Sequence, residues 1–503
     1  MDKHLLNATD YRDGLLPLTP DAPITVANGP ALANGPAFAR AALDRLPLAQ
    51  SVLLLWQQMA DPAFLADLFA KHRGRGYEKA LSFSTLVHLV ADALLQRDGS
   101  ARASFEHALE QSVLPVSIPA AYGKLRRLPI AVSVAFLTEG TARLHALLPV
   151  QPTAAMPPSV RDFTVTLLDG KTIKHVAKRL KLLRGIRGGV LGGKTLVALE
   201  VNSGLAVALA ADPDGESNEL RLVPEVVRQL HQRRSGPRLW VGDRLYCDLV
   251  QTARFSTAGD HFVVRYNAKV HFYPDPQRAV QRGSDAGGRT YTQEWGWLGA
   301  ATDSRRRYVR RISLQRPQEE DLVLVTDLPD AASYPAVDLL AVYHGRWGIE
   351  TVFQTITEVF PLRRLIGSTP QAGIFQMAFC LLLYNMIQVL RAYVAAAEQW
   401  EAADVSLEKL FEDVERELIA WTVMVDPLAT VRVLGQVPSV AEVRKQLRRL
   451  LHNVWRDRWL KTVNEKPRPY RRKPQASRVH TSVHRILEDH RRQVQQAQKT
   501  LNL

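Results

Sequence analysis

Between residues 162 and 267 the apolar residues change period several times, and that rhythm restricts the folds open to the chain. DFTVTLLDG (162–170) is an apolar run of strand length that ends in an acid. TLVALEVN and LAVALAAD are two further strands. They are joined through Ser203-Gly204, a tight-turn pair that makes them antiparallel neighbours. Asp214 to Arg234 predicts a capped helix ending in VPEVVRQLHQRR. RLWVGD (238–243) is a fourth short strand, again ending in an acid. DLVQTARF is then a short helix and HFVVRYN a fifth strand. The order is β-β-β-α-β-α-β, and the helical crossovers imply parallel pairing of the later strands.

The rest of the chain divides around this stretch, as expected for 503 residues. Residues 1–155 are a helical N-terminal region with possible DNA binding. Residues 17–37 within it, rich in Pro, Gly and Ala, read as a loose arm. SIPAAYGKLRRLPIAVSVAFL places Lys124, Arg126 and Arg127 on a basic helix after a turn. It fits either a helix-turn-helix DNA reader or a plain helical pair with a solvated basic face. Residues 156–267 form the first part of an α/β core and 268–320 a β-rich insertion. Residues 321–395 form the second part of the core and 396–503 a helical, basic C-terminal region. Trp295 and Trp297, at i and i+2, are expected to pack on one face of an insertion strand. Met377–Leu390 is apolar but falls short of the roughly 20 residues that cross a bilayer, so it reads as a buried helix and no membrane partner is expected.

Charge narrows the partner. The formal net charge is +15, and residues 441–503 carry 17 Lys and Arg against 5 Asp and Glu. KPRPYRRKP (466–474) within that segment is a candidate basic arm. Clustering of this sign points to a polyanion, nucleic acid before membrane. Two cysteines without a CxxC pair imply neither a disulfide framework nor a structural zinc site, which fits a reducing cytoplasm. The opening residues have no secretory apolar core.

The two strand-end acids, Asp169 and Asp243, lie where a sheet presents side chains to a ligand crevice. A third, Glu350, opens the amphipathic segment IETVFQTITEVF. Three carboxylates from separate elements suit Mg²⁺ or Mn²⁺, since hard cations prefer oxygen ligands. Two such ions about 3.5–4 Å apart can clamp the attacking and leaving oxygens of a phosphodiester. In a chain with 50 acids, spacing alone does not single out this triad. On residues alone, Asp169-Gly170 as a turn and Asp243 as a strand-end cap fit equally. Lys171, Lys174, Lys178, Arg179, Lys181, Arg184 and Arg187 follow the first acid, as a solvated face or as phosphate contacts. Arg244, beside the second, would screen carboxylate repulsion or touch DNA.

The words around these acids carry a resemblance. Tyr343-His344-Gly345-Arg346-Trp347-Gly348-Ile349-Glu350 resembles the Tyr-Arg-Glu-Lys signature of insertion-sequence transposases of the DDE class, of the "IS four" type. LLDGKTI and VGDRLYCD resemble that group's other two acid boxes. The resemblance covers about 160–390. It implies an α/β RNase-H-like catalytic core with a β-rich insertion, flanked by mainly helical N- and C-terminal regions. It makes Asp169, Asp243 and Glu350 the catalytic metal ligands, for Mg²⁺ or Mn²⁺ and two ions. It implies that Tyr343 and Arg346 contact DNA, and adds Arg244, Lys171 and Lys174 near the acids. The implied partners are double-stranded DNA, as terminal inverted repeats and target, and a second copy in the synaptic complex. The implied place is the bacterial cytoplasm, on the nucleoid.

One position departs from the signature: its Lys falls at Thr357, for which Arg363 or Arg364 is the expected substitute. That departure keeps a second reading open, a transposase descendant that binds DNA without cutting it. A third reading comes from Gly188–Thr195, which fits the P-loop pattern GxxxxGK[ST]. A P-loop opens a helix, whereas TLVALEVN reads as strand, so an ATPase is the remotest reading.

Overall fold

The structure is a computed structural model. It describes residues 36–501 apart from 96–100, 150–155, 175, 177, 179, 187–188, 234–235, 286, 318, 359–366, 425–435 and 462–479. The expected arm at 17–35, the basic KPRPYRRKP segment, and Arg179, Arg187, Arg363 and Arg364 therefore lie outside the described residues.

The described residues of the N-terminal region form helices: α1 (Pro36–Leu43), α2 (Pro47–Met59), α3 (Pro62–His72), α4 (Phe83–Leu95), α5 (Ala101–Glu110), α6 (Ile118–Arg127) and α7 (Ile130–His145). Proline at the first turns of α2, α3 and α6 suits positions whose N–H would have no helical partner. The α/β stretch follows as β1 (Thr164–Thr172), α8 (Lys181–Arg184), β2 (Gly189–Leu191), β3 (Lys194–Glu200), β4 (Ala206–Asp212), α9 (Val223–Gln232), β5 (Arg238–Gly242), α10 (Leu249–Phe255) and β6 (His261–Arg265). Next come β7 (Phe272–Pro274), β8 (Gln281–Ser284), β9 (Thr290–Leu298), β10 (Arg307–Leu314) and β11 (Leu322–Thr326). The chain closes with α11 (Ala336–His344), α12 (Trp347–Glu358), α13 (Pro370–Ala397), α14 (Leu407–Met424), α15 (Val440–Leu451), β12 (His480–Ser482) and α16 (Val483–Leu501).

Among the described residues, β4-β3-β1-β5-β6-β11-β10-β9-β7 form one mixed sheet, with β8 beside β9. β3 and β4 are antiparallel, as the Ser203-Gly204 turn requires, and β1 is antiparallel to β3. β1, β5 and β6 run parallel, as the crossovers require. β11 returns antiparallel between β6 and β10, so β7–β10 extend the same sheet instead of stacking as a second layer.

Period-two alternation assigns the two faces. Val165, Leu167, Val197, Leu199, Leu239 and Val241 belong to a core shared with α7, α11, α12 and α13. Leu168, Leu196, Ala198, Trp240 and Phe262 belong to the opposite core, closed by α9, Tyr246 and Phe255. Helix α7 lies against both α13 and β4, so the N-terminal helices share the first of these cores.

Two expectations change. The helix foreseen from Asp214 starts only at Val223, after a 3₁₀ turn at Glu219–Leu222 capped by Asn218. Proline at the start of α9 sets that boundary. Arg126 and Arg127 of the basic helix α6 are exposed, while α7 after it is mostly core against α13 and β4. Lys124 of α6 is likewise turned inward, donating to the Tyr77 carbonyl at 2.9 Å with its ammonium over the Phe69 ring. The P-loop reading fails because Lys194 opens strand β3, not a helix.

Helix α13 is long and apolar enough to cross a membrane, yet its apolar window is wholly buried in protein. Asn385, the polar interruption noted in the sequence, is fully buried and bonded. Its Nδ2 donates to Thr141 Oγ1 at 2.7 Å and to the Ala206 carbonyl at 2.9 Å, and its Oδ1 accepts from Ala206 N at 2.8 Å. It thereby ties α13 to α7 and β4.

Asp260 does the same for β5. Buried, it accepts from Arg238 N at 2.9 Å, Trp240 Nε1 at 3.1 Å and His231 Nε2 at 2.7 Å. Asp260→Ala would leave the Arg238 and Trp240 donors unsatisfied. We expect a loss of about 2–4 kcal/mol, read as a lower denaturation midpoint with an unchanged slope.

Candidate active site

β1 and β5 bring Asp169 and Asp243 to the same end of the sheet. The parallel ladder between them ends at Leu167↔Val241, two residues short of each acid. Alternation from Leu167 and Val241 directs both acids toward the α11–α13 side. Asp243 also caps the short turn after β5, its Oδ1 accepting from Leu245 N at 2.8 Å. The cap reading is therefore true as geometry and does not compete with a role in the site.

Glu350 arrives on α12. Ile349, Val352, Phe353 and Ile356 form the buried face of that helix. Gly348 faces Leu167 and Leu199 of the sheet at van der Waals distance, which seats the first turn of α12 on β1 and β3. Short-range bonds, Arg346 N to Tyr343 O and Gly348 N to Gly345 O, turn the chain from α11 into α12.

Arg346 links the acids. Its Nη2 donates to Glu350 Oε1 at 2.7 Å, and its charge also acts on Asp169. The Asp169 carboxyl is pushed up to about 7, by burial first and then by the negative charges of Glu219 and Asp243, against the pull of Arg346 and the Gly170 N–H. Tyr343 is buried, with the Arg346 guanidinium 5.8 Å from its ring centre, and burial raises its phenol.

The other expected residues scatter. Lys171 lies on β1 with its ammonium 5.4 Å from the Phe353 ring centre, against the Glu350 helix. Lys174 is exposed. Arg244 is exposed and pairs with Glu320 at 3.9 Å, away from the acids. Of the basic run, Lys178 donates to the Ile186 carbonyl at 2.8 Å, while Lys181 and Arg184 are exposed on α8. Trp295 is buried and donates to the Pro329 carbonyl at 2.7 Å. Trp297, on the same face of β9, is half-buried with Arg306 stacked 4.1 Å from its ring centre.

Two residues here escape a sequence reading. Glu219, in the 3₁₀ turn before α9, stands close enough to Asp169 and Asp243 to be felt by both. Tyr246 donates to Glu219 Oε1 at 3.2 Å and is fully buried. The sole local signal was an Asn218-Glu219 cap before an apolar run, which announces a helix start and nothing more.

The donor chemistry suits a hard divalent cation. Carboxylate oxygens gather at one sheet end, and their negative charge adds to the burial that lifts Asp169. Among the described residues no three His, Cys, Asp or Glu side chains form a ready-made cage, and the Glu350 carboxylate is turned to Arg346.

A family profile described as "Transposase DDE domain" matches residues 161–386, which include Asp169, Asp243 and Glu350. A protein of Sinorhizobium fredii named "Putative transposase y4zB" is 23% identical over 151 residues, 30% of this chain and 42% of that protein. The alignment thus spans less than half of that relative's length. A cryo-EM structure of the piggyBac transposase synaptic complex with hairpin DNA aligns over 82% of this chain and 88% of that one, at a TM-score of 0.40 and 11% identity. DDE transposases use divalent metal ions, in keeping with the crowded carboxylates described above. Residues 161–386, just under half of the chain, thus resemble the DDE-type transposase domain.

Proposed function

We propose that this chain is a cut-and-paste transposase of the Tyr-Arg-Glu-Lys insertion-sequence type, with an RNase-H-like catalytic core. The observation that carries the reading is the meeting of β1, β5 and α12 at one sheet end, where Arg346 bonds Glu350 while its charge reaches Asp169. The strand order β4-β3-β1-β5-β6, with β3 alone antiparallel to both its neighbours, supports the RNase-H-like assignment.

In this reading Asp169, Asp243 and Glu350 hold Mg²⁺ or Mn²⁺, two ions by family resemblance. Such ions, when bound, supply charge stabilisation at the attacking and leaving oxygens of a phosphodiester. The protein's own part is orientation and electrostatics. β1 and β5 present two acids from the rigid sheet, and α12 brings the third with a buried apolar face behind it. Arg346, only 11% exposed at its side chain, pairs with Glu350 and acts on Asp169, a place from which it would meet a phosphate. The substrate would be the double-stranded ends of the element, followed by target DNA, with two copies of the chain holding two ends. The net charge of +15 supports a DNA partner. A descendant that binds without cutting is the second reading, motivated by Thr357 in place of Lys.

Cleavage of DNA carrying the inverted repeats that flank the gene separates these readings. With Mg²⁺ present, wild type should nick the ends, and Asp169→Ala, Asp243→Ala and Glu350→Ala should each fall by about 10²-fold or more while still binding them. Undiminished cutting by any of the three removes that residue from the site. Wild type that binds but never cuts selects the second reading.

Arg346→Ala should weaken end binding and lower the slope of log affinity against log salt by about one. An unchanged slope means that Arg346 makes no phosphate contact.

The raised Asp169 carboxyl has a consequence for stability. Between the usual aspartate value of about 3.9 and a folded value of about 7, the native state binds more protons than the unfolded chain, so metal-free stability falls as pH rises across that window. In EDTA, Asp169→Asn should melt higher than wild type at pH 8 and lose part of that pH dependence. Equal melting at pH 5 and pH 8 for both proteins would contradict the crowded-carboxylate site.

A further inference from the structure

Beyond Leu167↔Val241 no ladder bond joins β1 to β5, yet both acids lie past that point and both carry the same charge. Repulsion alone would splay the strand ends. Each acid has a glycine neighbour whose place in the alternation faces the opposite side of the sheet: Gly170 after Asp169, and Gly242 before Asp243. A Cβ on Gly170 would lie 1.9 Å from Glu219 Oε2, and one on Gly242 would lie 2.6 Å from Tyr246 Cδ2. Glu219 and Tyr246 thus fill the two spaces left by missing side chains, one behind each acid. The same two residues are bonded to each other, Tyr246 Oη donating to Glu219 Oε1 at 3.2 Å.

The second carboxylate oxygen of Glu219 is 3.5 Å from Lys194 Nζ, which also donates to Thr172 Oγ1 at 3.1 Å. Thr172 and Lys194 are register partners at the far end of β1 and β3. A continuous polar chain therefore runs from β1 through Lys194 and Glu219 to Tyr246 against β5, on the face away from α12.

We infer that Glu219 and Tyr246 are positioning residues: their hydrogen bond, seated on Gly170 and Gly242, sets the spacing of the two strand ends and hence of Asp169 and Asp243. The inference rests on the reading of those acids as metal ligands. Glu219 itself is not a ligand in this account, since both of its oxygens are engaged by Tyr246 and Lys194.

The test uses the full-length chain and two readouts, Mn²⁺ affinity by titration calorimetry and the Mg²⁺ dependence of end cleavage, with thermal melting to verify folding. Tyr246→Phe removes only a hydroxyl, and Glu219→Gln keeps an acceptor for that hydroxyl while removing the charge. We expect Tyr246→Phe and Glu219→Ala to lose about 10-fold or more in Mn²⁺ affinity, with a matching rise in the Mg²⁺ needed for cutting. Glu219→Gln should keep most of the affinity. Gly170→Ala, which drives a methyl into Glu219, should behave as Glu219→Ala does. Wild-type Mn²⁺ affinity in Tyr246→Phe overturns the inference. So does a loss in Glu219→Gln as deep as that in Asp169→Asn, because Glu219 would then be a ligand. Mn²⁺ binding that survives Asp169→Asn overturns the ligand reading underneath. Mn²⁺ binding without any cutting overturns transposition alone and leaves the brace to the affinity data.

Discussion

The parallel pairing of β1 with β5 is the constraint on which the site depends. Asp169 lies inside β1 beyond its ladder with β5, Asp243 lies just past the end of β5, and only side-by-side pairing puts those acids together. That pairing is secured from below. Asp260 holds the Arg238 backbone and the Trp240 ring at the start of β5, and the Thr166 hydroxyl of β1 accepts from the Arg238 guanidinium at 3.1 Å. Because a strand alternates, the pairing also decides what faces each way: acids toward the helices α11–α13, glycines toward α9.

The helical layer serves the same end. α13 is buried along its apolar length and bonded through Asn385 to α7 and β4. Against that fixed layer α12 lays Ile349, Val352, Phe353 and Ile356, so Glu350 reaches the sheet from a rigid helix and not from a loop. The N-terminal helices thicken this layer, since they share its core.

The electrostatics show a site held short of neutrality. Burial first, and then neighbouring negative charge, raises the carboxyls of Asp169 and Glu219 against the pull of Arg346 and Lys194. A bound cation would relieve the negative charge gathered at this sheet end. Strain of this kind is common where binding, not stability, has set the residues.

Much of this was legible in the sequence for a physical reason: alternation and turn chemistry are local. The strand order from 162 to 267, the Ser203-Gly204 hairpin, the strand after Lys194 and the buried apolar helix around Met377–Leu390 all follow from neighbours along the chain. The words around Asp169, Asp243 and Glu350 marked those residues before any geometry did. What the sequence by itself determined, then, is the order of the main strands and helices, and it named three acids as candidates. Only the tertiary structure decided that Arg346 would hold Glu350 while its charge bears on Asp169, that Arg244 would turn to Glu320, and that α7 would pack against α13 and β4. It alone brought Glu219 and Tyr246 behind the two glycines, because a contact across separate strands leaves no periodicity to read. A glycine beside an acid announces room for something, and only the folded chain says what fills it.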